Sequence, residues 1–279
     1  MVDTTSLASE IADAYANRRL ISLPSSRNIG FDLAAGYAVE AELVKRRRAM
    51  GRQTVGLKVA FANKATWRVL ELNTLVWAHI YDDTVHRANS NRASLSLAKM
   101  VSPKIEPEIV FTMKAPFDVA QGTPLDAAAT DAAAVLEAVE SIALGFEIVD
   151  CVYPDWKFQP PDLVAAYGLH AALIVGEPQP VDSSRIPALV DALPQFTVML
   201  SRNGALVEEG SGKNVLSSPA LCLGELALAI ATQSGAEPLD AGDLVSTGSL
   251  TESKPIAAAE TWTATVAGID LPALRVEFS

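Results

Sequence analysis

The chain reads as an α+β protein, with a helical N-terminal region over residues 1–50 and a β-rich catalytic domain over residues 51–279. Three observations predict this. Apolar residues recur at helical spacing before Gly51, strict alternation begins directly after it, and no regular βαβ alternation follows. With 279 residues, 49% hydrophobic and 20% charged, the chain can bury a substantial core and lacks the composition of a disordered one.

In the helical front, Leu7, Ile11 and Tyr15 share one helix face. A second helix is predicted over Phe31–Met50, stopped by Gly51. Its Lys45-Arg46-Arg47-Arg48 run suits a solvated last turn, where cations complement the helix dipole, better than an anion site. Thr54–Phe61 alternates as a strand, and Asn63 caps a short helix to Leu72. Further strands are expected over Leu75–Tyr81, Leu95–Val101, Ile105–Met113 and Leu144–Val149, with an alanine-rich helix, Asp131–Glu140, before the last. Beyond these, Ala171–Val175, Thr197–Arg202, Leu244–Thr247, Thr261–Val266 and Leu274–Phe278 read as strands, and Asn203-Gly204 signals a hairpin. Pro219–Thr232 is a helix with Pro in its first turn and Gly235 past its end.

Charge narrows the function classes. Against 33 Asp and Glu stand 22 Lys and Arg, a net −11, which disfavours nucleic acid or an anionic membrane surface as partner. The two cysteines, Cys151 and Cys222, make no disulfide framework, and the N-terminus lacks a basic-then-apolar signal design. No run approaches the ~18 uninterrupted apolar residues of a membrane span. A cytoplasmic protein is expected.

The chemistry concentrates in Lys104-Ile105-Glu106-Pro107-Glu108-Ile109. Residues two apart on a strand share a face, roughly 6.5–7 Å apart, so Glu106 and Glu108 point together. Paired carboxylates repel, so either one is protonated, a cation lies between them, or they sit on a solvent-facing edge, which Pro107 would tolerate. These readings stand open on that segment alone. Glu147, within the apolar run Leu144–Val149, adds a third acid and favours an all-oxygen site for Mg²⁺ or Mn²⁺ rather than zinc. Asp150 falls on the opposite face. Lys58 lies between the small residues Gly56 and Ala60, either as a binding or proton-transferring group or as a lysine snorkelling from an edge strand.

Four blocks, Gly56-Leu57-Lys58-Val59 with Asn63-Lys64, Ile105–Ile109, Phe146-Glu147-Ile148-Val149-Asp150 and Ser246–Thr251, resemble in order those of the 2-keto-4-pentenoate hydratase and 4-oxalocrotonate decarboxylase family, within the fumarylacetoacetate hydrolase superfamily. The resemblance runs from about Gly51 to the C-terminus. It implies that superfamily's mixed β-rich fold and a divalent cation held by Glu106, Glu108 and Glu147. The cation would chelate the carboxylate and 2-oxo oxygens of a small 2-keto acid and stabilise its enolate. It further implies Lys58 and Asp83 as catalytic groups and Thr247 and Ser249 beside the substrate carboxylate. The implied activity is hydration of a 2-hydroxydienoate or 2-oxo-enoate in aromatic catabolism. The alternatives are decarboxylation of 4-oxalocrotonate-type acids, C–C hydrolysis of acylpyruvates, or a non-catalytic subunit. A homo-oligomer is implied, with a related decarboxylase or hydratase as a possible associate.

The chain departs from the family pattern at Ala60-Phe61-Ala62-Asn63, at Trp77-Ala78-His79 and at Tyr167-Gly168-Leu169-His170, where His170 takes a serine's place. His170 is either a general acid or base or a packed histidine, and His79 is carried as a substrate-binding candidate. Gly210-Ser211-Gly212-Lys213-Asn214 lacks the spacing of a P-loop, which excludes ATP on that ground. Trp67 and Trp77 are expected in the core or at a subunit contact.

Overall fold

The structure, a computed structural model, describes residues 2–117 and 131–279. The helical front comprises α1 (Thr4–Ala16), α2 (Pro24–Arg27) and α3 (Leu33–Ala49). Asp3 and Asp32 cap α1 and α3 by accepting the backbone N–H groups of Ser6 and Ala35. The Asp32 cap explains why α3 starts two residues later than the periodicity from Phe31 predicts. Leu7 and Ile11 of α1 and Val39 and Leu43 of α3 are buried in the apolar cluster that also holds Trp77 and Tyr153, so front and β body share one core.

The basic run ending α3 is only partly solvated, and its arginines are paired. Arg46 donates to Ser9 Oγ at 2.5 Å, Arg47 pairs with Asp83 at 2.5 Å and lies over the Tyr81 ring, and Arg48 pairs with Glu237 at 2.7 Å. Lys45 alone of the four stays largely in water, 78% exposed. The arginines reach partners far along the chain that a helical reading cannot supply.

The strands are β1 (Thr54–Ala60), β2 (Val76–Tyr81), β3 (Val85–Arg87), β4 (Arg92–Leu95), β5 (Pro103–Met113), β6 (Val139–Asp150) and β7 (His170–Val175). After these come β8 (Gln179–Pro180), β9 (Thr197–Arg202), β10 (Ala205–Ser211), β11 (Leu244–Ser246), β12 (Lys254–Pro255), β13 (Thr261–Ala267) and β14 (Leu274–Phe278). The helices between them are α4 (Lys64–Leu70), α5 (Ala132–Glu137), α6 (Pro160–Ala165), α7 (Ile186–Gln195) and α8 (Pro219–Thr232). One mixed sheet runs β2-β1-β11-β5-β6-β7-β3, with β12 on β5 and β8 on β6; a second runs β10-β9-β13-β14-β4. The Asn203-Gly204 hairpin forms as predicted, with positive φ at both turn residues.

Several boundaries move for identifiable reasons. The strand expected over Leu95–Val101 does not form: β4 (Arg92–Leu95) ends where it would begin, and the Asp150 carboxylate accepts the Val101 and Ser102 N–H groups. The alanine-rich helix ends at Glu137 because Val139 already enters the β6 ladder opposite Met113. The helices α6 and α7 were not predicted, although each has proline in its first turn and α7 buries Ile186, Leu189 and Leu193 at helical spacing. Residues Gly212–Thr232 have the length and hydropathy of a membrane span, but 61% of that window is buried inside the fold. Of this stretch only Pro219–Thr232 is α-helix, with Cys222, Leu223 and Leu226 fully enclosed. It is a core helix.

Asp162 ties the front to the body. Fully buried, it accepts the Ser25 N–H at 2.8 Å, the Ser25 hydroxyl at 2.6 Å and the Gln159 N–H at 2.9 Å. Asp162→Ala leaves these donors without a partner and is expected to cost about 3 kcal/mol, read as a lower urea midpoint; an unchanged midpoint would show that α2 and α6 do not depend on this carboxylate.

Candidate active site

The antiparallel pair β5–β6 sets Glu106 directly opposite Glu147, and Glu108 opposite Gly145. Strand parity puts all three carboxylates on one sheet face, and one oxygen from each lies within 4.8 Å of the others. Like charges directly opposed across strands destabilise a sheet, so this face needs a counter-charge. Lys58 supplies part of it. Strand β1 pairs with β11 and β11 with β5, which brings Lys58 level with Ser246 and Val110 on the same face. Its Nζ lies 2.9 Å from Glu147 Oε2 and donates to the Gly168 carbonyl at 3.1 Å, with the side chain 3% exposed. Lys58 is therefore not an edge lysine, since β1 lies between β2 and β11.

Nor is Pro107 at an edge. Its carbonyl accepts the Leu250 N–H in the gap between β12, which pairs with Lys104 and Ile105, and β11, which pairs with Val110–Thr112. A proline, with no N–H to give, fits where the neighbouring strand is interrupted.

Each acid is held differently. The hydroxyl of Ser246 (2.5 Å) and the N–H of Gly248 (2.9 Å) both donate to Glu108 Oε2, while buried Glu108 Oε1 has no hydrogen-bond partner. Glu147 Oε1 accepts from His170 Nδ1 at 2.9 Å. Burial pushes the Glu106 carboxyl up to about 7, with Lys58 pulling down and Glu147 adding to the rise. Burial also drives Glu108 upward, reinforced by Glu147 and Glu106. Burial opposes the Glu147 charge too, but Lys58 and His170 outweigh it and hold this carboxyl below its usual range. Burial pulls Lys58 down, yet the three carboxylates, Glu147 foremost, leave it above its ordinary value. The carboxylates thus favour the charged form of Lys58.

Burial and mutual repulsion push Glu106 and Glu108 upward, as expected of carboxylates for which Lys58 alone supplies too little positive charge. Together with the unpartnered Glu108 Oε1, this fits a divalent cation held by Glu106, Glu108 and Glu147, all hard oxygen donors. A cavity of about 560 Å³ opens onto Glu106 and Lys58, walled by Phe61, Trp156, Phe158 and Leu250.

Other predicted site residues lie elsewhere. Asp83 pairs with Arg47 and with Arg52 at 3.2 Å, and lies outside the cavity lining. His79 pairs in register with Leu57, so it faces away from Lys58; its Nδ1 meets Glu40 at 2.7 Å in a separate cavity. The Thr247 hydroxyl is buried and donates to the Ile109 carbonyl at 2.9 Å, which anchors the loop rather than a ligand. Ser249 does line the cavity, though its hydroxyl donates to the Thr251 carbonyl. His170 is 1% exposed, with Nε2 at 2.9 Å from Thr84 Oγ1, and stands behind Glu147 outside the lining. The packed-histidine reading describes it, with side chains rather than backbone as its partners.

Ser246, Gly248 and Gly168 were not singled out by sequence reasoning. Gly168 has φ +60°, and a Cβ there would lie 2.6 Å from Ala78 Cβ and 3.1 Å from Lys58 Cδ, so only glycine lets its carbonyl reach the lysine. The signal was present: Gly168 falls in the block that departs from the family pattern, and Ser246 opens another quoted block.

No family model matches the chain. The fold and the carboxylate cluster nevertheless define its class. It overlays on a 4-oxalocrotonate decarboxylase from Pseudomonas putida G7, solved with magnesium and adipate, with a TM-score of 0.85 and 25% identity over 99% of this chain and 97% of that one. A fumarylpyruvate hydrolase from Pseudomonas aeruginosa, solved with Mn²⁺ and pyruvate, shares the fold at a TM-score of 0.56 and 17% identity, over 80% of this chain and 88% of that one. In sequence the chain is 28% identical to a 2-hydroxypent-2,4-dienoate hydratase of Pseudomonas putida over 221 residues, 79% of this chain and 92% of the relative. The protein is thus a homologue of the 2-keto-4-pentenoate hydratases and 4-oxalocrotonate decarboxylases, with the fumarylacetoacetate hydrolase fold that the sequence implied.

A divalent metal should therefore stabilise the fold. At a free concentration of Mg²⁺ or Mn²⁺ near 100 times its dissociation constant, the gain is about 2.7 kcal/mol, seen as a rise in Tm that a chelator reverses. Glu108→Gln is expected to remove most of that rise; a variant that keeps it would exclude Glu108 as a ligand.

Proposed function

We propose that the chain is a divalent-metal-dependent lyase that hydrates a 2-hydroxydienoate or 2-oxo-enoate formed in the breakdown of aromatic ring-cleavage products. The observation that carries this reading is the Glu106, Glu108 and Glu147 cluster, with Glu108 and Glu147 buried and Glu106 opening beside Lys58 into a cavity walled in part by Phe61, Trp156, Phe158 and Leu250. Mg²⁺ or Mn²⁺, held by the three glutamates, would polarise the oxygens of a bound 2-oxo acid as a Lewis acid. Ketonisation of the dienol places a proton on the far carbon, and water then adds across the conjugated double bond, so one water is consumed.

Lys58 is the catalytic group of this reading. Two of its N–H donors are engaged with Glu147 and the Gly168 carbonyl, leaving one for a substrate oxygen. His170 acts as a positioning residue, since its Nδ1–H fixes the Glu147 carboxylate and Thr84 fixes its far nitrogen. Phe61, Trp156, Phe158 and Leu250 supply the apolar part of the cavity wall, beside which the ammonium and the carboxylates interact more strongly than in open water.

Decarboxylation is the second reading, favoured by the overlay on a decarboxylase along 99% of the chain. The purified protein with Mg²⁺ and a panel of 2-oxo acids separates the two by product: added water, released CO₂, or two fragments for a C–C hydrolase. Turnover by the chain alone excludes a purely non-catalytic subunit. Glu106→Gln is expected to lower turnover more than about 100-fold, beyond the loss typical of a ligand's supporting partner, with the far-UV spectrum retained. Full metal-dependent activity in that variant would overturn the site assignment.

A further inference from the structure

The turn beside Lys58 is held from the far end of the chain. Tyr167, Gly168 and Leu169 are consecutive residues in the left-handed region, at φ +57°, +60° and +61°. Two of the three are not glycine, and such a backbone persists only where surrounding contacts enforce it. The turn delivers two groups to the site. The Gly168 carbonyl accepts from Lys58 Nζ at 3.1 Å, and His170, which follows directly, places Nδ1 2.9 Å from Glu147.

The enforcing contacts converge on Ala166, the residue before the turn. Its carbonyl accepts the Leu169 N–H at 2.8 Å, and the Tyr15 hydroxyl reaches the same carbonyl at 3.3 Å. Tyr15 lies 151 residues earlier, on α1, where it continues the apolar stripe of Leu7 and Ile11. Its hydroxyl also donates to the Asp150 carbonyl at 2.9 Å, at the end of the strand that carries Glu147. One O–H therefore ties the Glu147 strand to the Gly168 turn. The Tyr15 and Tyr81 rings both meet the Tyr167 ring edge-on, with centroids 5.8 Å and 6.2 Å away. The buried Tyr81 hydroxyl has no partner among the described residues, so the polar tie is made by Tyr15.

A lysine depends on such a tie. Its ammonium rides on a flexible four-carbon stem, so its acceptors, not its own stem, set the direction of its three donors. Glu147 and the Gly168 carbonyl fix two of them and thereby the third. If the Gly168 carbonyl drifts, the ammonium turns onto the carboxylates and the third N–H loses its aim. From this we infer that Tyr15 is a positioning residue for Lys58: its hydroxyl fixes the Gly168 carbonyl, and with it the direction of the one Lys58 donor left for substrate. The inference rests on the catalytic role proposed for Lys58 and deepens it, since it makes α1 part of the frame of the site.

The test compares Tyr15→Phe, which removes the hydroxyl and keeps the ring, with Tyr153→Phe. The Tyr153 hydroxyl donates to the Asp162 carbonyl at 2.9 Å, a bond of the same kind that touches neither the turn nor Lys58. Two quantities are measured: kcat and KM with Mg²⁺ and the 2-oxo acid that the wild type turns over, and hydrogen exchange of the Leu169 amide with a chelator present, which needs no turnover. Tyr15→Phe is expected to lower kcat about tenfold with KM held within about twofold, the pattern of a lost aim in the transition state. It should also speed Leu169 exchange while leaving the Mg²⁺-dependent rise in Tm unchanged. Tyr153→Phe should leave kcat and Leu169 exchange at their wild-type values. An equal loss of kcat in both variants would mean general loosening of the fold and overturns the inference. So does faster Leu169 exchange with kcat unchanged, since the turn would then be held without directing Lys58, and so does wild-type behaviour of Tyr15→Phe in both measurements. Absence of turnover by the wild type with every 2-oxo acid overturns the proposed function and this inference with it.

Discussion

Repulsion among three clustered carboxylates, two of them fully buried, is the constraint around which the rest of the molecule is arranged. Glu106 and Glu147 face each other across β5 and β6, with Glu108 two residues along the same face. Carboxylates taken out of water and placed side by side are unstable unless each gains a specific partner. Lys58 comes from β1, Ser246 and the Gly248 N–H from β11 and the loop after it, and His170 from the start of β7. The strand order β1-β11-β5-β6-β7 is the order in which those partners are delivered. The long central strands supply the acids, and their neighbours supply what tolerates them.

Close backbone approach makes that delivery possible. Strand β11 lies so near β1 that a Cβ on Gly56 would fall 1.9 Å from the Leu244 carbonyl oxygen, at a φ of +143°. A larger residue there would push β11, and Ser246 with it, away from Glu108. On the other side of Lys58, the turn Tyr167–Leu169 runs through three consecutive left-handed residues to aim the Gly168 carbonyl at the ammonium. Strain of this kind persists only where surrounding contacts over-determine it. Here the Tyr15 hydroxyl donates to both the Ala166 and Asp150 carbonyls, so the helical front helps to hold the turn.

Much of the site was legible because a strand has a period of two. Glu106 and Glu108 share a face whatever the fold, and a glutamate inside the apolar run around Glu147 needs a reason to be there. Asp83 and His79 are the candidates that the structure sets apart from the glutamate cluster. Asp83 is bound by Arg47 and Arg52, arginines about 30 residues earlier whose reach depends on how α3 lies on the sheet. His79 fails on parity, since it shares a face with Leu57 while Lys58 shares one with Ala78. That pairing register is a property of two strands together and is written in neither alone.

The sequence by itself determined the local matters: the helical front, the positions of most strands, the hairpin at Asn203-Gly204, and the all-oxygen chemistry of the glutamate blocks. These follow from periodicity, capping and side-chain type, which act within a few residues. Tertiary structure alone decided which groups answer the acids. It set the gap that admits Pro107 into a central strand, the hydrogen bonds of His170 to Glu147 and of Thr247 to the Ile109 carbonyl, and the cavity whose lining Glu208, Glu209 and Glu252 share. Each of these depends on contacts between segments tens of residues apart, and the energy that selects them, desolvation of charge against pairing, exists only once those segments have come together.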